Sequence, residues 1–299
     1  MSDDANTDSA APLVDPTGLT EIAAGVFVIP DNRVPLVPNI GIIRGEHSAL
    51  VVDCGMGPVN GETVLAAAKR VAGDRDLILT LTHFHPEHGF GAQAFSAGAE
   101  TFYNAAQANE LAAKGKAYLE MFRDFGPSVA SALEGTKLVQ PDRTWTGDSH
   151  TLDLGGRKVE LRTWGKAHTQ ADQVVWLPQE RILFTGDLAE NRIFPIFPWF
   201  PPDDVDISAV RWCEALADME AMRPAVVVPG HGELGGVEIL QEVRRYLEEI
   251  ARRVAVLHGQ GVGTEAMVEQ ITTQMTSDHP DWDAPEWIGF AVRYHADNR

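Results

Sequence analysis

Thr82-His83-Phe84-His85-Pro86-Glu87-His88-Gly89 places three of the chain's ten histidines within six residues, directly after the apolar run DLILTL at 76–81. That run reads as a buried strand. Alternate residues of an extended chain share a face, so His83 and His85 leave the strand end on one side, and Pro86 turns the chain toward Glu87 and His88. Imidazole and carboxylate together are donors for zinc and related divalent metals. Three further groups sit in or just after turns near predicted strands: His168 in WGKAHTQAD, Asp187 in LFTGDLAEN and His231 in VVVPGHGE. A lone turn histidine is usually solvated or bonded to the backbone, which is how His47, His150, His258, His279 and His295 are read. Five histidines and two carboxylates in glycine-bounded loops are not explained that way, and point to a metal site.

The rest of the chain supplies strands and helices in two comparable halves. GVFVIP, NIGIIRG and SALVVDCG are short β-branched runs, followed by a helix over 62–71 and a mainly helical stretch over 104–135. From 137 to 186 the pattern returns to strands: KLVQ, HTLDLG, KVELRTW, QVVWLP and RILFTG. Helices over 207–222 and 237–257 flank the strand AVVVPG, and 279–286 reads as an irregular link to a last short helix. The pattern predicts a mixed α+β/α/β architecture of two packed sheets with helices outside. Residues 1–18 are expected to be a disordered tail, 19–260 the catalytic domain, and 261–299 a helical extension packed on it.

Composition narrows the classes. The 299 residues are 44% hydrophobic and 22% charged, which describes a globular chain and excludes collagen-like or wholly disordered ones. A formal charge of −19 repels phosphate backbones and anionic lipids, so neither nucleic acid nor a membrane is an expected partner. Two cysteines cannot build a disulfide framework, and both Cys54 and Cys213 read as small core residues. The first basic residue is Arg33, so the start lacks a secretory pattern, and a cytoplasmic location is expected.

HFHPEH, followed by His168, Gly186-Asp187 and Gly230-His231-Gly232, with Asp53 in VVDCG ahead of them, resembles the metallo-β-lactamase-fold metallo-hydrolase superfamily, in particular dinuclear glyoxalase II- and lactonase-like members. The resemblance covers about residues 21–257. It implies a four-layered αβ/βα sandwich with the site at one edge of the two sheets. It also implies two Zn2+ per chain, with iron or manganese as alternatives: one ion on His83, His85 and His168, the other on Glu87, His88 and His231, with Asp187 bridging and Asp53 orienting the metal loop. Glu87 stands where the superfamily has Asp. Its extra methylene leaves two roles open, direct ligation, which is favoured, or acid/base service beside a weakly held second ion.

The reaction so implied is hydrolysis of a small carbonyl substrate (lactone, thioester, ester or cyclic amide) by a metal-bridged hydroxide, with Glu87 and Asp187 as the catalytic carboxylates. The aromatic, proline-rich loop after Asp187 offers Arg192 for a substrate carboxylate, with a surface salt bridge as the alternative, and Phe194, Phe197 and Trp199 for an apolar wall, with core packing as the alternative. Met121 and Phe122, on one helical face with Tyr118 and Phe125, are core or a lid. The last helix is a candidate homodimer contact. Competing readings are an iron-dependent, persulfide dioxygenase-like oxidoreductase of the same fold and a weakly active binding protein.

Overall fold

The structure, a computed structural model, describes residues 11–298. It divides into two compact units, the first ending at Trp145 and including Asp153–Arg157, the second formed by Thr146–Leu152 and the chain from Lys158 onward. This division falls inside the domain expected over 19–260.

The first unit is a seven-stranded sheet in sequential order, β1 (Thr20–Ala23), β2 (Val26–Ile29), β3 (Ile40–Arg44), β4 (Ser48–Val52), β5 (Asp76–Thr80), β6 (Glu100–Asn104) and β7 (Arg143–Trp145). β1 to β4 pair antiparallel, and the register turns parallel from β4 to β7. Helix α1 (Gly57–Ala72) makes the crossover between β4 and β5, burying Val64, Ala67, Ala68 and Val71 at helical spacing. α2 (Pro86–Gly89) is a single turn after β5, and α3 (Ala105–Arg123) and α4 (Pro127–Ala132) connect β6 to β7. Both faces of β3 and β4 are buried, which is why these strands read as continuous apolar runs.

The second unit is a five-stranded sheet in the order β12-β11-β10-β9-β8, made of β8 (Ser149–Asp153), β9 (Lys158–Arg162), β10 (Val174–Leu177), β11 (Ile182–Gly186) and β12 (Val226–Pro229). β11 and β12 pair parallel, bridged by α5 (Ala209–Ala221). α6 (Glu238–Gly259) buries Ile239, Leu240, Val243, Tyr246, Leu247, Ile250 and Val254, a stripe at three- and four-residue spacing. α7 (Thr264–Asp278) and α8 (Trp287–Asp297) add Met267, Ile271, Met275, Ile288 and Val292 to the same hydrophobic cluster as β10, β11 and α5.

Three readings change. Residues 1–10 of the expected tail lie outside the described residues, but 11–18 are anchored: Val14 is buried, its N–H donates to Asn60 Oδ1 at 2.9 Å, and Asn60 Nδ2 donates to Pro12 O at 2.7 Å. KLVQ is not a strand. The strand starts at Arg143, where the Asp142 carboxylate accepts from Thr101 N at 2.9 Å and Thr101 Oγ1 at 2.8 Å and locks β7 beside β6. β6 itself was hidden in ETFYN, a run too short and too polar at its ends to show alternation.

Candidate metal centre

In the first unit the chain leaves β5 through Leu81 and Thr82 and reaches His83 and His85 before the single turn α2, which carries Glu87 and His88. All four side chains are buried, with no residue more than 3% exposed. The ring centroids of His83 and His85 are 4.6 Å apart, and those of His83 and His88 4.2 Å.

Asp53 organises this cluster from the end of β4. It adopts a left-handed backbone (φ 66°), unusual for a residue with a Cβ, and its N–H donates to Thr80 O at 2.9 Å. Its carboxylate accepts from Thr82 N at 2.7 Å and Thr82 Oγ1 at 2.8 Å, and from His88 Nδ1 at 2.8 Å. An ionised carboxylate only accepts, so the His88 proton sits on Nδ1 and Nε2 carries the lone pair that a metal would use. The cluster is closed from the helical side by Tyr118, whose ring stacks on His85 at 5.0 Å with an interplanar angle of 19°. Cys54 donates its backbone N–H to His88 O at 2.8 Å. Burial first, and the adjacent Asp53 second, push its thiol well above the usual range, which disfavours the thiolate.

The second unit holds the other three residues, also buried. Asp187 follows the end of β11, and His231 follows the Gly230 turn after β12. Gly230 donates its N–H to Gly186 O and Ala189 O, both at 3.0 Å, and a Cβ on Gly230 would stand 2.0 Å from Asp187 Oδ1. Only glycine leaves room for that carboxylate. His231 Nε2 lies 3.7 Å from Asp187 Oδ1. That is too long for a strong hydrogen bond and close to the roughly 3.3 Å that separates two ligands on a tetrahedral ion with ~2.0 Å bonds. His168 sits in a loop braced by Asp172, which accepts from Thr169 N at 2.8 Å and Thr169 Oγ1 at 2.9 Å. Each unit thus carries a buried histidine-acid cluster at strand ends, a donor set that fits a divalent metal.

The expected substrate contacts fare differently. Phe194 and Phe197 have no exposed surface and lie in the hydrophobic core, Phe194 against Tyr246 (5.8 Å) and Trp282 (5.3 Å), Phe197 against Trp212 (5.6 Å) and Tyr294 (5.2 Å). The expectation of an apolar wall here is corrected to core packing, because α6, α5 and α8 supply aromatic partners that the local sequence does not display. Trp199 is half-buried against that core and donates Nε1 to Asp297 Oδ2 at 3.2 Å. Arg192 is 58% exposed, pairs with Asp281 at 3.6 Å and lines a surface cavity of about 690 Å³ beside α6. Phe122 is buried and Met121 half-buried against the first unit's core. Tyr118, read as core or lid, stacks on His85, and two buried polar residues beside the clusters were not singled out: Thr82, next to His83, and Glu190, three residues after Asp187.

A fold of two helix-flanked sheets with such clusters at strand ends defines a metallo-hydrolase class. The chain belongs to the metallo-beta-lactamase superfamily, whose family model matches residues 33–231. It is similar to the metallo-beta-lactamase type 2 of Bacteroides fragilis, 34% identical over 119 residues, 38% of this chain. The match spans 45% of that enzyme's length. It is also similar to the acyl-coenzyme A thioesterase MBLAC2 of Gallus gallus, 26% identical over 216 residues, 68% of this chain and 75% of the relative. A metallo-beta-lactamase structure from Pontibacter korlensis superposes with a TM-score of 0.59 at 22% identity, over 77% of this chain and 98% of that one, and shares the fold. Among the described residues no helix is long and apolar enough to cross a membrane.

Proposed function

We propose that the protein is a zinc-dependent, dinuclear hydrolase of a small carbonyl substrate, with a thioester as the favoured class. The observation that carries the reading is the pair of buried donor clusters, with His88 set in its tautomer by the Asp53 carboxylate. We take His83, His85, Glu87 and His88 of the first unit's cluster and His168, Asp187 and His231 of the second unit's as the ligands of two ions, with Asp187 shared, the assignment that membership of the superfamily supports. Glu87 is buried on the same single turn as His88, which favours ligation over a separate acid/base role. The thioester preference rests on the thioesterase relative, whose match runs along two thirds of both chains.

Divalent cations held there would acidify a water and polarise the substrate carbonyl. The chain's own part is geometric. Thr82 and Asp53 fix the His83–His88 turn, the Gly230 turn makes space for Asp187, and burial excludes bulk water so that the carboxylates act in a low dielectric. Neither Cys54 nor Cys213 serves as a nucleophile, since burial raises Cys54 well above its usual value and Cys213 to about 11.

Metal analysis of the purified chain, followed by a panel of an acyl thioester, a homoserine-type lactone, an aryl ester and a penicillin, tests the reading. About two zinc-like ions per chain are expected, with the thioester turned over fastest and activity abolished by chelation, His85→Ala or Asp187→Asn. Iron with oxygen uptake dependent on a sulfur compound, or full activity after exhaustive chelation, would overturn it.

A further inference from the structure

Glu190 lies three residues beyond Asp187 and is 1% exposed. Its Oε1 accepts from Ile196 N at 3.3 Å, and the Ile196 carbonyl is 3.1 Å from His168 Nδ1. A carbonyl has no proton to give, so Nδ1–H is the donor and His168 is set in the tautomer whose Nε2 carries the lone pair. The main chain at Ile196 is held from both sides. Glu190 takes its N–H, and the neighbouring rings of Phe194 and Phe197 are sunk in the core. The Tyr246 ring packs against Phe194 with centroids 5.8 Å apart and planes tilted by 54°, which adds to the burial of this loop.

We infer that Glu190 is a positioning residue for the metal centre. By fixing Ile196 it fixes the carbonyl that orients His168 and strengthens its Nε2 as a donor. The inference rests on the metal-centre reading above, and it gives a buried carboxylate of the 190–197 loop a part that acts through one histidine.

Three variants of the full chain separate reach from charge. Glu190→Gln keeps an acceptor oxygen at the same reach without the charge; Glu190→Asp keeps the charge but withdraws the oxygen by a methylene; Glu190→Ala removes both. Zinc affinity is read by competition with a chromophoric chelator, cobalt(II) absorption reports the ligand field, and circular dichroism checks the fold. One of the two ions is expected to bind ~10–100-fold more weakly in Glu190→Asp and Glu190→Ala, with an altered cobalt spectrum. The other ion stays within a few-fold, and Glu190→Gln stays close to the parent. If Glu190→Ala does not fold, the Gln and Asp pair decides. Parent-like affinity for both ions in Glu190→Asp, or equal weakening of both ions in Gln and Asp alike, overturns the positioning role while leaving the metal centre standing. A parent chain that binds no metal sinks the function reading itself, and this inference with it.

Discussion

Gly230→Ala is the sharpest small perturbation of the site. The added methyl would stand 2.0 Å from Asp187 Oδ1, 2.8 Å from Gly186 C and 2.9 Å from Gly186 O. Ordinary contact lies near ~3.5 Å, so the carboxylate or the Gly230 turn must move by about 1.5 Å. Metal–ligand distances tolerate only ~0.2 Å, so the displacement exceeds what a bound ion can absorb several times over. Misplacement of this size is expected to lower hydrolysis by about 10²-fold or more and to weaken zinc binding. Overpacking in the buried turn lowers stability by about 1–3 kcal/mol. Gly259→Ala is the control, since a Cβ there meets nothing within 4 Å, and it should leave hydrolysis and zinc binding unchanged while stability holds or rises slightly at this helical position. Zinc competition, initial rates on the panel's best substrate and urea unfolding are measured on the three proteins together. A Gly230→Ala chain that binds zinc and turns over like the parent would refute the placement of Asp187 at the centre.

Asp53→Asn should weaken zinc binding ~10–100-fold, because one face of the new amide is a donor and cannot accept both from Thr82 and from His88; rescue of binding by the isosteric amide would be the contrary result. Phe197→Ala should lower unfolding stability by about 3–5 kcal/mol with KM unchanged, whereas a substrate-wall residue would raise KM at near-parent stability. Glu249 is held at about 2 by its hydrogen bond to Arg252 and then by Arg253. A depressed carboxylate stabilises the fold above its ordinary value of 4.5 and loses that contribution as pH falls toward 2. Glu249→Gln should therefore narrow the stability difference between pH 5 and pH 2.5 in urea titrations, and an unchanged difference would show that the pair contributes nothing.

How much of this was written in the sequence depends on the range over which each feature is encoded. The proposed donor residues stood out because histidines and carboxylates are rare at buried strand ends, and HFHPEH concentrates them in one turn. The strands β3, β4 and β11 were legible because full burial makes them unbroken apolar runs. β6 and the start of β7 were not, since their register is set by Asp142 reaching back across 41 residues to Thr101. The helical character of 261–299 was legible but the bounds of α7 were not: its buried face is only Met267, Ile271 and Met275, too sparse to mark a helix's ends without the surfaces of α6 and α8.

The aromatic loop shows why proximity in sequence misled. Phe194 and Phe197 stand within ten residues of Asp187, and a chain that short can fold back to the site or run about 30 Å away from it, so nearness alone could not decide for a substrate wall. What decides the direction of the rings is the set of partners from α5, α6 and α8, residues 212, 246 and 294, which lie far along the chain. With the rings committed to the core, the loop's main chain becomes rigid, and a rigid main chain is what a hydrogen bond to His168 requires. The same burial that removes these phenylalanines from substrate recognition would therefore give them a part in the proposed metal centre, through the Ile196 carbonyl that bonds His168.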